Sequence, residues 1–392
     1  MILYIQYTDP AAYPPLEHSS LILAERGWRV RHLGVTAGGA ARQLALPHHP
    51  RIAVELMPAS GPGLAMATHY ARFLAWCCRE IGALRPEVVY CSDLRSFPIG
   101  LWASTRLGTM TILHEHDPPP ASAKLLMRLM LNLRGRFARR ATLIVIPQYE
   151  RAEKFQADTG VNSERIRIVY NCPSLSELVE ICPHQKPLHD GVVLWYHGSI
   201  GPGLLPPTTV EALARLPEDV ELEIAGYETI SSKGYVAQLL ARARELGVGE
   251  RLRYHGPLRR SDLLRRAAGA HVGLALFASA FGDPMVGASN KPFDYLACGL
   301  ALLTNQTPEW ESFFGAAGVS IGCDPANADD IARAVLYLRN DPGRRQAMAA
   351  RGRALIRTTW NYETQFAKVL AALEPGVPGG SKTAARQSAG TE

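Results

Sequence analysis

The sequence predicts an α/β protein of two similar domains facing across a cleft, and three observations predict it. Short apolar runs of strand length alternate with longer helical patterns, the rhythm of a largely parallel sheet. That rhythm breaks at CPHQKPLHDG, where two prolines and little periodicity read as a linker, and then resumes. The 392 residues also exceed what one hydrophobic core usually organises. The expected division is an N-terminal domain over 1–181, a linker over 182–190, a C-terminal domain over 191–356 and a terminal helix over 357–374. A disordered tail is expected over 375–392, where small and polar residues dominate.

In the first half, MILYIQY, WRVRHLGV, VVYCSDL, MTILHEH, LIVIPQY and RIRIVYN read as strands, with helices over 18–26 and 68–84. In the second half, VVLWYHG, VELEIAGYE, RLRYHGP, HVGLALF, GLALLTN and GVSIGC read as strands, and TVEALARL, VAQLLARARELG and SDLLRRAAG as helices. Open sheets of this kind bind ligands at the carboxyl ends of their strands, which is where candidate residues are sought.

Composition narrows the function classes. With 47% hydrophobic and 20% charged residues the chain is globular, and its net charge of +6 suits anionic substrates or a membrane surface but is too weak to argue for nucleic acid. Seven cysteines form no CxxC pair and show no metal-like spacing with histidine, so a reduced, cytoplasmic chain is expected. Neither a secretory leader nor an uninterrupted apolar run of about 18 residues is seen, so membrane spanning is not expected either.

One decapeptide carries a contradiction. NKPFDYLACG opens like a helix, with Asn290 as cap and Pro292 in the first turn, yet Lys291 brings a cation to the positive end of the helix dipole. A nucleoside diphosphate resolves it: helix amides and Lys291 face the phosphates, and Asp294, three residues on and on the same face, accepts from ribose hydroxyls. The plainer reading is a solvated Lys–Asp pair one turn apart.

The longer stretch SNKPFDYLACGLALLTN resembles the donor-binding segment of GT-B glycosyltransferases, of the retaining, family-4-like group. VVLWYHGSIGPG, VELEIAGYE, ARELGVGERLRYHGPL and LIRTTWNYETQFAKVL resemble further segments of that family in the same order. The resemblance implies two Rossmann-like domains, a nucleotide-diphosphate sugar (UDP or GDP) as donor, no required cofactor or metal, and retention. It gives Lys291 the diphosphate and Asp294 the ribose, with Asn290, Gly198, Ser199 and Gly201 lining the phosphates. The family's sugar-contacting glutamate is replaced by Val286, so Asp283 and its neighbours are the expected sugar contacts. The loop HGSIGPG lacks the family's basic pair and leaves Lys291 most of the positive charge. Gly226 to Glu228 and His255 to Leu258 are candidate walls for the base.

At another strand end, TILHEHDPP gathers His114, Glu115, His116 and Asp117. The resemblance makes His116, with Asp117, the catalytic group facing the donor sugar; metal ligation by His114 and His116 is a second reading, and ordinary loop polarity a third. Asp93 at the end of YCSDL, and Asp9, Glu17 and His18 in TDPAAYPPLEHSS, are candidate substrate contacts, the latter loop reading equally as a proline-stiffened turn with a helix cap. Residues 121–140 hold six basic side chains and no acidic one: Leu126, Met130, Leu133 and Phe137 form a core stripe, while Lys124, Arg128, Arg136 and Arg139 share the opposite side with Leu125 and Leu129. That face suits an anionic membrane and hence a glycan or lipid-linked acceptor, with peripheral attachment at the inner face of the membrane, or it is simply solvated. The competing functions are a nucleotide-sugar epimerase or hydrolase on the same fold and a catalytically weak nucleotide-binding scaffold.

Overall fold

The computed structural model describes residues 1–37, 45–61, 63–117, 125–180, 191–278 and 285–373. The linker over 182–190, Asp283 and the tail over 375–392 lie outside the described residues. The described residues form two compact units, one of Met1–Val169 with Thr364 to Leu373, the other of Tyr170–Glu363. The division thus falls about a dozen residues before the expected linker. Aromatic packing is the reason: the Tyr170 ring stacks on Phe293 at 6.2 Å and meets Phe313 edge-on at 5.1 Å, while the Asn171 N–H donates to the Gly287 carbonyl.

The first unit contains strands β1 (Ile2–Ile5), β2 (Val30–Val35), β3 (Ile52–Met57), β4 (Val88–Cys91), β5 (Met110–His114), β6 (Leu143–Ile146) and β7 (Ile166–Ile168). They form one parallel sheet in the order β3-β2-β1-β4-β5-β6-β7. Each strand read from the sequence in this half is present. The additional one, β3, lies at the sheet edge with Ala53 and Val54 exposed, so IAVELM lacks the buried apolar run that marks the others. The chain runs from β1 out to β3 and returns through a helix to β4 before proceeding the opposite way, which puts the switch point at the carboxyl ends of β1 and β4.

Helices α1 (Pro14–Glu25), α2 (Leu64–Leu84), α3 (Phe97–Trp102), α4 (Leu125–Ala138) and α5 (Tyr149–Thr159) cover this sheet. The basic segment of the sequence supplies α4. Its Phe137 is fully buried over Gly100 of α3, where an added methyl would lie 2.2 Å from the ring, so a glycine lets the two helices close. Met130 and Leu133 are half-buried, while Arg128, Leu129, Arg136 and Arg139 face outward; Leu126 and Lys124 fall outside the described side chains. Arg134 turns inward, where its guanidinium holds the buried Glu115 carboxylate from two nitrogens and covers the Phe155 ring at 4.4 Å.

The second unit holds α6 (Leu175–Glu180), then β8 (Val192–Ile200), α7 (Thr208–Leu213), β9 (Val220–Glu228), α8 (Tyr235–Glu245), β10 (Leu252–Tyr254), α9 (Arg260–Ala267) and β11 (Val272–Ala275). After these come α10 (Asn290–Ala297), β12 (Ala301–Asn305), α11 (Pro308–Trp310), β13 (Ser320–Cys323), α12 (Ala328–Asn340) and α13 (Pro342–Thr358), while α14 (Tyr362–Leu373) belongs from Thr364 on to the first unit. The strands form a parallel sheet in the order β10-β9-β8-β11-β12-β13, so the direction of winding reverses between β8 and β11. Side chains alternate along β8: Leu194 and Tyr196 join Ile224, Leu274 and Leu303 on one face, and Trp195 joins Ala225, Leu302 and Phe293 on the other. The terminal helix expected over 357–374 begins at Tyr362. Trp360, buried against Phe313 at 5.1 Å, and Asn361, whose amide donates to the Ile356 carbonyl, interrupt the helix before it.

Candidate functional site

Sequence chemistry and topology meet at the reversal between β8 and β11. The helical start is as expected, except that Ser289 occupies the extended cap position and Asn290 is the first helical residue of α10. One residue on, Lys291 extends between the two central strands. Its Nζ lies 5.0 Å from the Tyr196 ring centroid in the middle of β8 and 5.4 Å from that of Phe277, just past β11. Among the described residues no carboxylate comes within ion-pairing distance of it. The two rings attract the ammonium, but a helix amino terminus is a poor home for a cation and burial strips its water, lowering its pKa from 10.5 to about 8.

The backbone beside Lys291 is stripped of side chains where it matters. Gly198 (φ 111°) pairs in register with Gly226 (φ 143°), and a methyl on Gly226 would lie 1.8 Å from the Gly198 carbonyl oxygen. One on Gly198 would meet the Lys291 Cε at 3.0 Å. Both residues hold conformations costly to anything but glycine, and together they leave an open approach to the ammonium. The expected phosphate loop is shorter than the sequence suggested: His197, Gly198, Ser199 and Ile200 remain in β8, paired with Ala225 to Glu228, and the turn begins at Gly201. The Ser199 carbonyl accepts from the Tyr196 hydroxyl, and Gly201 packs against Ser232.

Asp294 departs from its expected role. Its carboxylate, 1% exposed, accepts from Arg260 twice, Nη1 to Oδ2 at 2.6 Å and Nη2 to Oδ1 at 2.8 Å, and Oδ2 also lies 3.1 Å from His197 Nε2. The Trp195 indole N–H donates to His197 Nδ1 at 2.9 Å, so the imidazole proton resides on Nε2 and is given to Asp294. Burial keeps His197 neutral by lowering its pKa. For Asp294 burial works upward, and the adjoining guanidinium overrides it to hold the carboxyl below its ordinary value. Arg260 Nε in turn donates to Glu177 Oε1 at 2.7 Å. A ribose acceptor in the sequence is therefore, in the fold, the anchor of an arginine.

Arg260 and Glu177 were missed from the sequence. The signal was present: Arg260 opens α9 as Lys291 opens α10, a cation at the wrong end of a helix. Arg260 resolves its mismatch with two carboxylates of its own unit. The base walls are partly committed as well: His255 Nε2 lies 2.9 Å from Glu223 and its ring stacks near Trp195, while Glu228 accepts from the Gly234 and Val236 N–H groups and so caps α8. Val286 is buried among apolar side chains.

In the first unit the sequence-predicted residues gather at the carboxyl ends of β1, β4 and β5. His116 is 8% exposed; its Nε2 lies 2.7 Å from Ser92 Oγ, its carbonyl accepts from Arg151, and its ring sits 3.7 Å from that of His114 and 5.1 Å from Tyr13. Burial lowers its pKa to about 3, and that of His114, bonded through Nδ1 to Tyr90, also falls well below the ordinary value. Asp117 is exposed beside them. Among the described residues no group of three potential ligands could hold a metal.

Two of the acceptor candidates, Asp93 and Asp9, hold backbone N–H groups of the scaffold. Asp93 accepts from the N–H groups of Tyr7 at 2.6 Å and Ser96 at 2.7 Å, tying β1 to α3. Asp9 accepts from Ala11 and Ala37, and His18 is 3% exposed inside α1, which begins at Pro14 and not at 18 because two prolines suit a first turn. Glu17 is half-buried in that first turn.

Residues 18–172 match the family model described as glycosyl transferase 4-like domain, and residues 207–371 the model described as glycosyl transferase-like. A search of curated proteins gives no match. Among solved structures, Anabaena HepE in complex with UDP-glucose matches with a TM-score of 0.72 at 17% identity, over 95% of this chain and 99% of that one. Sucrose-phosphate synthase from Thermosynechococcus elongatus matches at 0.71 and 13%, over 95% and 98%. WaaG, a glycosyltransferase involved in lipopolysaccharide biosynthesis, matches at 0.66 and 16%, over 97% and 100%. At such identities the structures establish the fold, and the two family models span most of the sequence. The chain belongs to the family-4-like GT-B glycosyltransferases.

Proposed function

We propose that this enzyme moves a hexose from a UDP-sugar to a glycan or lipid-linked acceptor with retention of anomeric configuration. The observation that carries the donor assignment is Lys291, a partly buried ammonium at the sheet's switch point, beside bare glycine backbone and without an ion-pair partner among the described residues. A diphosphate supplies the missing anion. As the sugar–phosphate bond breaks, charge grows on the departing UDP, and Lys291 with the amino-terminal N–H groups of α10 stabilises it more than the ground state. The sugar is left oxocarbenium-like, the departing phosphate assists attack on the same face, and His116 and Asp117 are assigned a catalytic role on the family resemblance. The UDP-glucose complex of HepE supports uracil as the base.

The test is thermal stabilisation of wild type and Lys291→Ala by UDP, GDP, ADP and their sugar conjugates. UDP at about 100 times its Kd stabilises wild type by about 2.7 kcal/mol, and the variant shows no shift. No shift with any nucleotide overturns the donor assignment and favours a scaffold; donor breakdown that ignores every acceptor favours the epimerase or hydrolase. Once a productive pair is found, an inverted anomeric centre in the product removes retention.

The acceptor reading rests on α4, whose outward face carries Arg128, Leu129 at 51% exposure, and Arg136, followed by Arg139. No helix among the described residues is long and apolar enough to cross a membrane, so attachment would be peripheral. Sedimentation with anionic but not neutral vesicles is expected, weakened by Arg128→Glu with Arg136→Glu; equal partitioning into both vesicle types sinks this membrane role.

A further inference from the structure

The carboxylate expected to read the ribose cannot be reached. Asp294 is 1% exposed, whereas the Arg260 side chain covering it is 33% exposed, so a ligand approaching this end of the site meets the guanidinium first. A guanidinium has five N–H donors, and here one goes to Glu177 and two go to Asp294. Two remain without a partner among the described residues. The fork is rigidly aimed, because both carboxylates that hold it are themselves fixed: Asp294 by His197 and its place in α10, Glu177 by the Ser174 N–H at 2.9 Å.

The position suits a nucleoside. Asp294 follows Lys291 by three residues on α10, about 5–6 Å along one helix face, which is the scale separating a nucleotide's phosphates from its ribose hydroxyls. Charge then selects among ligand groups. Arg260 with Glu177 and Asp294 carries a net negative charge, since His197 is neutral, and a second phosphate there would be repelled. Neutral hydroxyl oxygens would not be. They accept hydrogen bonds from a charged donor, the stronger class of such bonds.

We infer that Arg260 is a specificity-determining residue that reads the ribose of the donor by donating its two remaining N–H groups to the hydroxyl oxygens, in place of a carboxylate accepting from them. This rests on the UDP-sugar reading. It inverts the direction of the hydrogen bonds and reduces Asp294 to a positioning residue that aims the fork.

Calorimetric titration with UDP, its 2′-deoxy and 3′-deoxy analogues and inorganic diphosphate tests this on wild type, Arg260→Gln and Arg260→Lys. Wild type is expected to prefer UDP over at least one deoxy analogue by about ten-fold, the worth of one charge-assisted bond. In Arg260→Gln that preference falls below about two-fold while binding of inorganic diphosphate, held by Lys291, is unchanged. Arg260→Lys, which keeps the cation between the two carboxylates and loses the fork, guards against a folding defect and should lose the preference with little change in melting temperature. Equal binding of UDP and both deoxy analogues by wild type, or a preference that survives in both variants, overturns the inference while the donor reading stands. A wild type that binds inorganic diphosphate and UDP not at all overturns both.

Discussion

Replacing Lys291 by Met lowers kcat/KM for the UDP-sugar by on the order of 10²–10³-fold and at the same time raises the melting temperature of the ligand-free protein by a few degrees. The two effects have one cause. The ammonium lies between the Tyr196 and Phe277 rings at a helix amino terminus, and burial brings its pKa down from 10.5 to about 8. A lysine with a depressed folded-state pKa costs stability wherever it is charged: the cost is full below about pH 8 and is relieved as pH rises toward about 10.4, where the unfolded chain still holds its proton. A shift of this size corresponds to about 3 kcal/mol, and the partial exposure of the side chain reduces that to about 1–2 kcal/mol. Met fills the same slot without the charge.

The diphosphate reverses the balance by giving the ammonium its counter-ion, so donor affinity falls as pH rises above about 8 in the wild type and is independent of pH there in the variant. Calorimetric melting with steady-state rates over that range checks both halves. A variant with wild-type kcat/KM, or one that melts lower when empty, would contradict the assignment.

How far the sequence could be read follows from which signals are local. The strands inside both sheets were legible because parallel strands buried on both faces are continuous apolar runs; β3 escaped because an edge strand need not be one. Lys291 was legible because a cation at a helix start is a mismatch visible within three residues. Arg260 presents the same mismatch, but its resolution depends on Asp294 and Glu177, 34 and 83 residues away, and nothing in the local pattern announces that pairing. Asp294 follows the same rule: its position predicts a ligand contact, and only the fold shows that it is buried with three hydrogen bonds already accepted from Arg260 and His197. The division at Tyr170 depended on aromatic contacts across more than a hundred residues, against two prolines that looked like a joint.

Below about pH 6 the unit built from Met1–Val169 is expected to lose its structure before the other. His32, His114 and His116 lie within it, at most 8% exposed, and form part of one ring column: His32 stacks on Tyr4 at 4.7 Å, Tyr4 on Tyr90 at 4.4 Å, and Tyr90 meets His114 at 5.7 Å, which lies against His116. Burial lowers the pKa of His32 and of His116 to about 3, and that of His114 falls well below the usual value through burial and the neighbouring imidazole. In the unfolded chain each titrates near 6.5. The sign follows: between the two values the unfolded state takes up protons that the folded state refuses, so stability falls as pH falls. At pH 5 His32 and His116 each remove about 2 kcal/mol, and His114 acts in the same direction, a loss comparable with much of the stability of an ordinary domain. In the other unit His197 contributes once in this range, while Asp294, with a depressed carboxyl pKa, keeps its stabilising charge throughout it. Hydrogen exchange at pH 7 and pH 5, corrected for intrinsic rates, should show protection collapsing in β1, β2, β4 and β5 while β8, β9 and β11 persist. Protection lost equally in both sheets, or retained in the first, would show that the imidazoles find protons without unfolding.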